Sequence, residues 1–448
     1  MTPLTEAANQ AAKRRKTVAN TTQQIKNEGW ELVDLGKERI SLDPEIKKFP
    51  SHAELNFLRD STPYSIFKSF ITDEIIDSVL IRAKKEYPNS FSFATSAGNF
   101  VERTINKQII QQYLATRIII QGWKYQNNNG VRATMKEVKN YLEEKLDTKI
   151  LGITKMQICH SIFSICKPNE IEKVFSNVLN TVVAPGQVSC ADEKLFRYTG
   201  QHIYVRKVPQ KPAKVGLWFY QTVVMLPGDL PYLVYCRLHD SDKTLQTTVP
   251  TTTIIRDWMK LSQKFKNKTV TVMDSYYMTK AGTEVVKEHT GHVIAAVQPK
   301  RFLKYYDYLN TKVKQAGQLA VLHNNNTKET MVLYHSPQKE IGKKMVYSNC
   351  HKKLSTKQPP FEVPVYDEYG SCFNHCDKYN LAIAGKNFPI RLGGKNTGLN
   401  ATIMDYLLVT ILVNCWHAYL SLKQLTHHDY PFSSFAEELA EGLVQNSI

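Results

Sequence analysis

The spacing of apolar residues changes after Pro185, and this change constrains the fold more than any other feature of the sequence. Before it, apolar side chains such as Ile110, Tyr113 and Leu114 recur at the three- and four-residue spacing of an amphipathic helix. After it, β-branched and aromatic residues gather in short runs that are typical of strands. The sequence therefore predicts a mainly helical segment followed by a strand-rich segment in a mixed α/β protein.

The strand-rich segment also contains helices, and further helices follow it. Strands are predicted over residues 202–208, 215–225, 232–238, 270–273, 292–297, 318–323 and 330–335. Helices are predicted after Thr72, which is a suitable N-cap, and over residues 252–264, 280–289, 365–383 and 399–420. The strands 318–323 and 330–335 flank three asparagines, which predicts a hairpin in a separate small insertion.

No stretch of the sequence has the uninterrupted apolar character of a membrane span. The best candidate, residues 403–420, carries Asp405 and Asn414 and is interpreted as a buried helix. The chain has 8 dispersed cysteines and an N-terminus without an apolar signal core, which favours a reducing compartment.

Positive charge is concentrated in one region. The chain has 58 Lys and Arg against 41 Asp and Glu, and residues 191–357 alone hold 27 basic against 12 acidic residues. Such a field attracts polyanions, and nucleic acid is the first candidate because each neutralised phosphate releases counterions. The alternative is a solvated basic face without a nucleic-acid role. The basic cluster at residues 13–16 predicts either nuclear import or a charged tail.

Two acidic positions are candidates for chemistry. Asp274 follows the apolar run 270–273, so a strand would deliver its carboxylate to a sheet edge, where ligands commonly bind. Asp192 and Glu193 precede the predicted strands of the same block. Carboxylates on neighbouring strands can share a hard cation such as Mg²⁺. Taken singly, an aspartate at a strand end more often forms a turn or caps a helix.

The residues around these carboxylates resemble the motifs of the piggyBac-type transposases and of the host proteins derived from them. Asp192-Glu193, followed by KPAKVG at 211–216, is similar to the family's first acidic motif and its downstream Lys-Pro-x-Lys-x-Gly. The run MDSYYMT at 273–279 resembles the second motif, an Asp after a strand followed by two aromatic residues and a hydroxyl residue. The helix start at 70–76 and the run 412–414 also fit the family's flanks, so the resemblance covers roughly residues 60–425.

The resemblance implies an α/β fold in which a ribonuclease H-like catalytic core with a small insertion is flanked by a helical dimerisation and DNA-binding domain. In chain order, it implies a flexible N-terminal tail (1–55), the first part of the helical domain (56–185), the core (186–300), the insertion (301–362), a core helix (363–385) and the second part of the helical domain (386–448). It also implies double-stranded DNA as a partner and a homodimer. No membrane is expected because no apolar span exists, and the basic cluster at residues 13–16 favours a nuclear location.

The family's chemistry, as the resemblance implies it, uses three acidic residues that hold two divalent cations. These Mg²⁺ or Mn²⁺ ions activate water or a DNA 3′-hydroxyl for in-line displacement at phosphorus. The residues expected to contact DNA are Lys194, Arg206, Lys207, Lys211, Lys214, Arg301 and Lys304.

The third acidic position departs from the family pattern. The segment YDEYGSCFNHCDK at 366–378 aligns without gaps to the family's third motif, and Asn374 occupies the catalytic Asp position. An amide oxygen ligates a hard cation but brings no negative charge, so metal affinity and cleavage should both fall. Asp377 matches the family's next acidic position and is the candidate substitute, because residues three apart share a helix face. The catalytic candidates are therefore Asp192, Asp274, Asn374 and Asp377, and the metal ligands are Asp192, Asp274 and Asp377.

Other features near this motif have ordinary explanations. Ser371 and Cys372 replace the family's paired glycines, which predicts altered backbone packing. No zinc is expected, because the spacing of Cys350, His351, Cys372, His375 and Cys376 fits no closed four-ligand site. The family often ends in a Cys/His-rich DNA-reading domain, and that domain is expected to be missing because no cysteine follows Cys415. Three tyrosines either stack on bases or pack in the core: Tyr305, Tyr306 and Tyr308.

The sequence leaves three functions open. The first is a piggyBac transposase-derived DNA-binding protein whose metal-dependent cleavage and strand transfer are reduced or lost. The second is an active transposase in which Asp192, Asp274 and Asp377 hold the ions. The third sets the resemblance aside and is a basic scaffold protein that does not bind DNA.

Overall fold

The computed structural model describes residues 20–35, 37–47, 50–86, 92–94, 100–102, 105–123, 135–147, 149, 159, 168–198, 200–202, 204–209, 211, 214–239, 251–265, 269–338, 342–355, 364–384 and 399–447. The chain forms two compact units. The first comprises residues 1–52, 184–192 and 249–375, and the second comprises residues 53–183, 193–248 and 376–448. Each unit is therefore assembled from segments that are distant in sequence.

The described part of the chain contains both strands and helices. The strands are β1 (Trp30–Leu32), β2 (Glu38–Leu42), β3 (Glu54–Leu55), β4 (Ser92–Ala94), β5 (Phe100–Glu102), β6 (Val182–Ala184), β7 (Val188–Arg197), β8 (Val205–Lys207), β9 (Val215–Leu226), β10 (Leu230–Leu238), β11 (Val270–Met273), β12 (His292–Val297), β13 (Leu319–Asn324), β14 (Thr330–His335), β15 (Lys343–Ser348) and β16 (His351–Ser355). The helices are α1 (Pro44–Lys47), α2 (Pro63–Phe70), α3 (Asp73–Glu86), α4 (Lys107–Trp123), α5 (Met135–Leu146), α6 (Pro168–Asn180), α7 (Thr251–Lys264), α8 (Lys280–Glu288), α9 (Leu303–Lys312), α10 (Pro364–Cys372), α11 (His375–Ile383), α12 (Leu399–Lys423) and α13 (Phe432–Gln445). Residues 20–27 are helical as well.

The first unit is built on a mixed sheet. Its strand order is β1-β13-β14-β15-β12-β11-β7, in which β7, β11 and β12 are parallel and the other pairs are antiparallel. Parallel strands are buried on both faces and therefore consist of continuous apolar runs, as β11 does. The helix α10 packs on one face, where Val365 joins a buried cluster with Val272, Ile294 and Val346.

The N-terminal segment differs from the predicted flexible tail. The strand β1 pairs with β13, and β2 pairs with β16. Trp30 is 4% exposed and Ile40 is 1% exposed, so both belong to the core of the first unit. Strands of three and five residues are too short to show a period, and their partners lie far along the chain. The basic cluster at residues 13–16 lies outside the described residues.

The predicted hairpin is present, but it is not a separate insertion. The strands β13 and β14 pair through Val321 and Val332, and β14 continues the sheet by pairing with β15. Both valines lie in the main buried cluster of the unit. Because β14 pairs with β15, the hairpin extends the central sheet, and its strands are mostly buried there.

The predicted helix over residues 365–383 is two helices. The helix α10 ends at Cys372 and α11 begins at His375, with Phe373 and Asn374 in the turn between them. Asn374 directly precedes α11, but its Oδ1 has no hydrogen-bond partner among the described residues, so this oxygen does not cap the helix.

The second unit is mainly helical around an antiparallel hairpin of β9 and β10. The helix α12 lies at its centre, as the sequence predicts, and 89% of the most apolar 18-residue window within Thr402–Lys423 is buried. Within the described residues this is the one helix long and apolar enough to cross a membrane. The side-chain amide of Asn414 accepts from the backbone N–H of Leu233 at 3.0 Å and donates to its carbonyl at 2.7 Å. The amide thus satisfies the β10 backbone beside a break in the strand register.

A buried ion pair also stabilises the second unit. Arg117 on α4 donates to the carboxylate of Asp405 on α12, and both side chains are about 3% exposed. Desolvation by itself would penalise each charge strongly, so each requires the other. This pair explains how an acidic residue is tolerated inside the apolar helix α12.

Candidate catalytic site

Asp192 and Asp274 are neighbours across parallel strands of the first unit. The strands β7 and β11 are paired so that Ala191 lies opposite Met273. Continued by one residue, this register places Asp192 opposite Asp274. Neighbouring strands lie about 4.8 Å apart, so the two carboxylates are close enough to share a cation. Asp192 is half-buried and Asp274 is exposed, which leaves the pair open to a ligand.

Asp192 lies on the sheet face that α10 covers. Side chains alternate along a strand, so Cys190 and Asp192 share a face, and Val272 lies on that face one strand away. Asp274 follows the last residue of β11. Val272 packs with Val365 of α10 in the buried cluster. On the opposite face, the hydroxyls of Ser189 and Thr271 are 3.4 Å apart.

The turn that carries Asn374 is attached to this same face. The Sγ of Cys190 donates a hydrogen bond to the carbonyl oxygen of Phe373 over 3.3 Å. Asn374 follows immediately, and its Oδ1 is buried without a hydrogen-bond partner among the described residues. An unsatisfied buried acceptor costs about 1–3 kcal/mol, so a cation at this oxygen would be favourable. The residue before Asn374 is therefore hydrogen-bonded to the strand that carries Asp192.

These three side chains fit a hard divalent cation, with less charge than three carboxylates would supply. All their donor atoms are oxygens, which Mg²⁺ and Mn²⁺ prefer. Within the described part of the chain, no group of three His, Cys, Asp or Glu side chains converges as a metal site would require. Asn374 would add an uncharged amide oxygen to the two carboxylates.

Asp377 belongs to the second unit and is exposed in the first turn of α11. Its charge acts on Lys194. Burial lowers the pKa of the Lys194 ammonium, the carboxylate of Asp377 opposes this change, and the nearby Lys211 adds to it. Asp377 therefore has an electrostatic partner of its own within the second unit.

Glu193 follows Asp192 in β7, so the two side chains point to opposite faces of the sheet. It faces Lys211, whose Nζ lies 3.2 Å from Glu193 Oε1. The motif that contains Lys211 then turns into β9, with Lys214 in the left-handed region at a φ of 52°. Its last residue, Gly216, approaches the strand end so closely that a Cβ there would lie 2.1 Å from the carbonyl oxygen of Phe196. Only glycine fits this contact.

Comparisons with known proteins bear on this arrangement. No protein-family model matches the chain, and no curated protein matches it. A solved structure does match: the cryo-EM structure of a piggyBac transposase synaptic complex with hairpin DNA, at a TM-score of 0.64 and 13% sequence identity, over 88% of this chain and 83% of that chain. The chain has a piggyBac-like fold. The expected mixed α/β architecture is thereby confirmed, while the identity is too low to carry more than the fold.

The predicted DNA-contacting residues differ in how far their charges are already paired. Lys304 pairs with Glu28, and Lys211 pairs with Glu193. The guanidinium of Arg206 donates to Nε2 of His239 over 2.8 Å. Lys207 and Lys214 are exposed and form no ion pair within the described residues.

Arg301 supports the loop that follows Asp274. Its Nη1 donates to the carbonyl oxygens of Ser275 and Tyr276 over 3.0 and 2.6 Å. No carboxylate pairs with Arg301 in the part of the chain that the structure describes. Its positive charge therefore stays available beside the carboxylate pair.

The remaining sequence candidates have structural partners. Tyr305 is 9% exposed, donates to Glu28 over 2.9 Å and lies 5.1 Å from the Trp30 ring, so it packs in the core. His351 uses both ring nitrogens, with Ser348 Oγ at 2.6 Å and Glu368 Oε2 at 2.8 Å. That zinc is not required stays a prediction.

Sequence reasoning missed three features of the site. It did not predict β7, in which Asp192 lies, and it overlooked the thiol of Cys190. It also treated Tyr276 and Tyr277 alike, although the first is 48% exposed and the second is fully buried against Trp258 at 4.5 Å. The preference of asparagine for turns was the available signal for the position of Asn374 between α10 and α11.

Proposed function

We propose that this protein is derived from a piggyBac transposase, binds double-stranded DNA, and has reduced or lost metal-dependent DNA cleavage and strand transfer. One observation carries the proposal: the turn that is hydrogen-bonded to the Asp192 strand carries the neutral amide of Asn374, with its Oδ1 buried and unpartnered among the described residues, where the resemblance expects a third carboxylate. The matching transposase structure is a DNA complex, which supports DNA as the partner.

In this proposal, Asp192, Asp274 and Asn374 hold divalent cations in a ribonuclease H-like core. When bound, such ions would polarise a phosphate and activate the attacking oxygen. The chain's own contribution is to carry Asp192 on β7 and Asp274 at the end of the neighbouring β11, and to attach the turn of Asn374 to β7 through Cys190. Two formal charges in place of three weaken cation binding, and cleavage falls with it.

DNA binding rests on the basic side chains that are not already neutralised. Lys207, Lys214 and Arg301 supply charge for phosphate oxygens, and Lys194 adds a partly buried ammonium. Such contacts position the duplex without reading its sequence. A homodimer and a nuclear location belong to the proposal as well.

The alternative function is an active transposase in which Asp377 is the third carboxylate. It is favoured by the position of Asp377 three residues after Asn374. It has to account for the opposing role of Asp377 as the acidic neighbour of Lys194.

The test is Mn²⁺-dependent nicking of supercoiled plasmid, combined with duplex retention over a salt series. The proposal expects retention that weakens as salt rises, together with little or no nicking. Asp274→Asn controls for contaminating nuclease. Nicking that disappears in Asp274→Asn would support the active transposase, and salt-independent or absent retention would support a scaffold protein.

A further inference from the structure

An exposed aromatic ring lies two residues beyond the candidate catalytic Asp274. Tyr276 is 48% exposed, and its neighbour Tyr277 is fully buried. The two rings meet edge to face, with centroids 5.1 Å apart and planes at 88°. One ring therefore anchors the loop in the core, while the other presents its surface to solvent.

The loop is held in this conformation by contacts on both sides. Tyr277 packs edge to face on Trp258 with centroids 4.5 Å apart. From outside, Arg301 donates to the carbonyl oxygens of Ser275 and Tyr276. Downstream, the hydroxyl of Thr279 accepts from the N–H of Gly282 over 3.0 Å and caps α8. A ring held this way loses little conformational entropy when a ligand stacks on it.

A cation accompanies the ring. The guanidinium carbon of Arg301 lies 6.0 Å from the centroid of Tyr276. No carboxylate pairs with this guanidinium within the described residues. The Tyr276 ring offers a surface on which a base can stack, and the Arg301 guanidinium offers a positive charge for a phosphate. The two groups thus fit the base and the phosphate of a nucleotide.

We propose that Tyr276 and Arg301 form a subsite that binds one unpaired nucleotide of the DNA substrate, with its base stacked on the Tyr276 ring. This inference rests on the proposed DNA-binding function. A base inside a duplex is already stacked on both faces, so only an unpaired or extruded base can reach the ring. The subsite would hold the nucleotide beside the position where Asp192 and Asp274 meet.

The experiment compares a blunt duplex with a duplex that ends in an unpaired fluorescent purine analogue, whose emission is quenched by stacking. A short single strand containing the same analogue is the third probe. Tyr276→Ala removes the ring, and Tyr276→Trp keeps a stacking surface. Tyr308→Ala is the matched control, because Tyr308 also lies near a cation, Lys312 at 5.7 Å, on α9.

For Tyr276→Ala we expect loss of quenching and an affinity for the unpaired end that is about 5- to 150-fold lower, because stacking contributes that much per base. Blunt-duplex affinity should be unchanged, and Tyr276→Trp and Tyr308→Ala should behave like the wild type. Unchanged quenching in Tyr276→Ala, or an equal loss of affinity for blunt and unpaired ends, would overturn the subsite. If the wild type retains no blunt duplex, the proposed function fails, and the single-stranded probe still decides whether Tyr276 binds a base.

Discussion

The Sγ of Cys190 lies 3.3 Å from the carbonyl oxygen of Phe373 and donates to it. This bond connects the strand that carries Asp192 with the turn that carries Asn374. It attaches the turn before α11 to β7, although the two segments are far apart in the sequence.

Replacing Cys190 should therefore loosen this turn. We expect Cys190→Ala to lower the free energy of unfolding by about 1–2 kcal/mol, because a buried donor and its packing are lost. Cys190→Ser should recover at least half of the loss, since its hydroxyl can donate to the same carbonyl. Urea denaturation measures both variants. Equal stability of Cys190→Ala and the wild type would show that the bond does not hold the turn.

Stability should fall between about pH 6.5 and pH 4 because of His323. Burial, together with the charges of Lys353 and Lys328, lowers the pKa of His323 from 6.5 to about 4. In this interval the unfolded chain binds a proton that the folded protein does not, so acidification favours unfolding, by up to about 3 kcal/mol.

His323→Gln removes this titration and keeps a polar group for Thr330, whose hydroxyl lies 2.9 Å from His323 Nδ1. We expect a flatter pH dependence of stability in this variant, measured by urea denaturation from pH 7 to pH 4, roughly the interval of the titration. The exposed His202 provides the control, His202→Gln, which should follow the wild type. An unchanged pH dependence in His323→Gln would refute the assignment.

An apolar cavity in the second unit offers a stabilising substitution. Its volume is about 30 Å³, and it is lined by side chains that include Phe67, Leu114, Val174 and Leu407. Val174 is fully buried, and Val174→Ile adds one methylene at this cavity. We expect a gain of about 0.8 kcal/mol from the added buried surface, measured by thermal and urea unfolding. A loss larger than about 1 kcal/mol would mean that the cavity cannot accept the group.

Several elements could be predicted from the sequence because their own residues define them. The strands at 270–273 and 292–297 were predicted with the observed bounds, since buried parallel strands consist of apolar runs. The helix predicted at 399–420 begins at the predicted residue and ends slightly later than predicted, at Lys423. In each case local composition determines the structure.

Other features depend on partners that the local sequence does not contain. The strand β7 has the sequence VSCADEKLFR. Its consecutive charged residues Asp192, Glu193 and Lys194 interrupt the alternation of apolar and polar residues by which a strand is recognised in a sequence. Tyr276 and Tyr277 are chemically identical, and only the packing of the loop on Trp258 decides which one is buried. The attachment of the Asn374 turn to β7 likewise depends on the Cys190 contact, which no local pattern predicts.

DNA affinity should depend on salt through the unpaired lysines. Lys207→Gln and Lys214→Asn each remove one charge, and asparagine tolerates the positive φ at position 214. For each variant we expect the slope of log affinity against log salt to become shallower by about 0.9. Lys304→Gln should change the slope less, because Lys304 is already paired with Glu28. Equal slopes in the wild type and in Lys207→Gln would exclude a phosphate contact by that lysine.

The binding of Mn²⁺ to the wild type and to Asn374→Asp, measured by calorimetry, tests the central claim most directly. The account predicts that Asn374→Asp binds Mn²⁺ at least about tenfold more tightly, because it restores a third carboxylate beside Asp192 and Asp274. Without the metal, the same variant should be less stable than the wild type, since its new charge is buried. Asp377→Asn should leave the affinity of the wild type unchanged. Equal Mn²⁺ affinity in the wild type and Asn374→Asp, together with a loss of affinity in Asp377→Asn, would contradict the account and identify Asp377 as the third ligand.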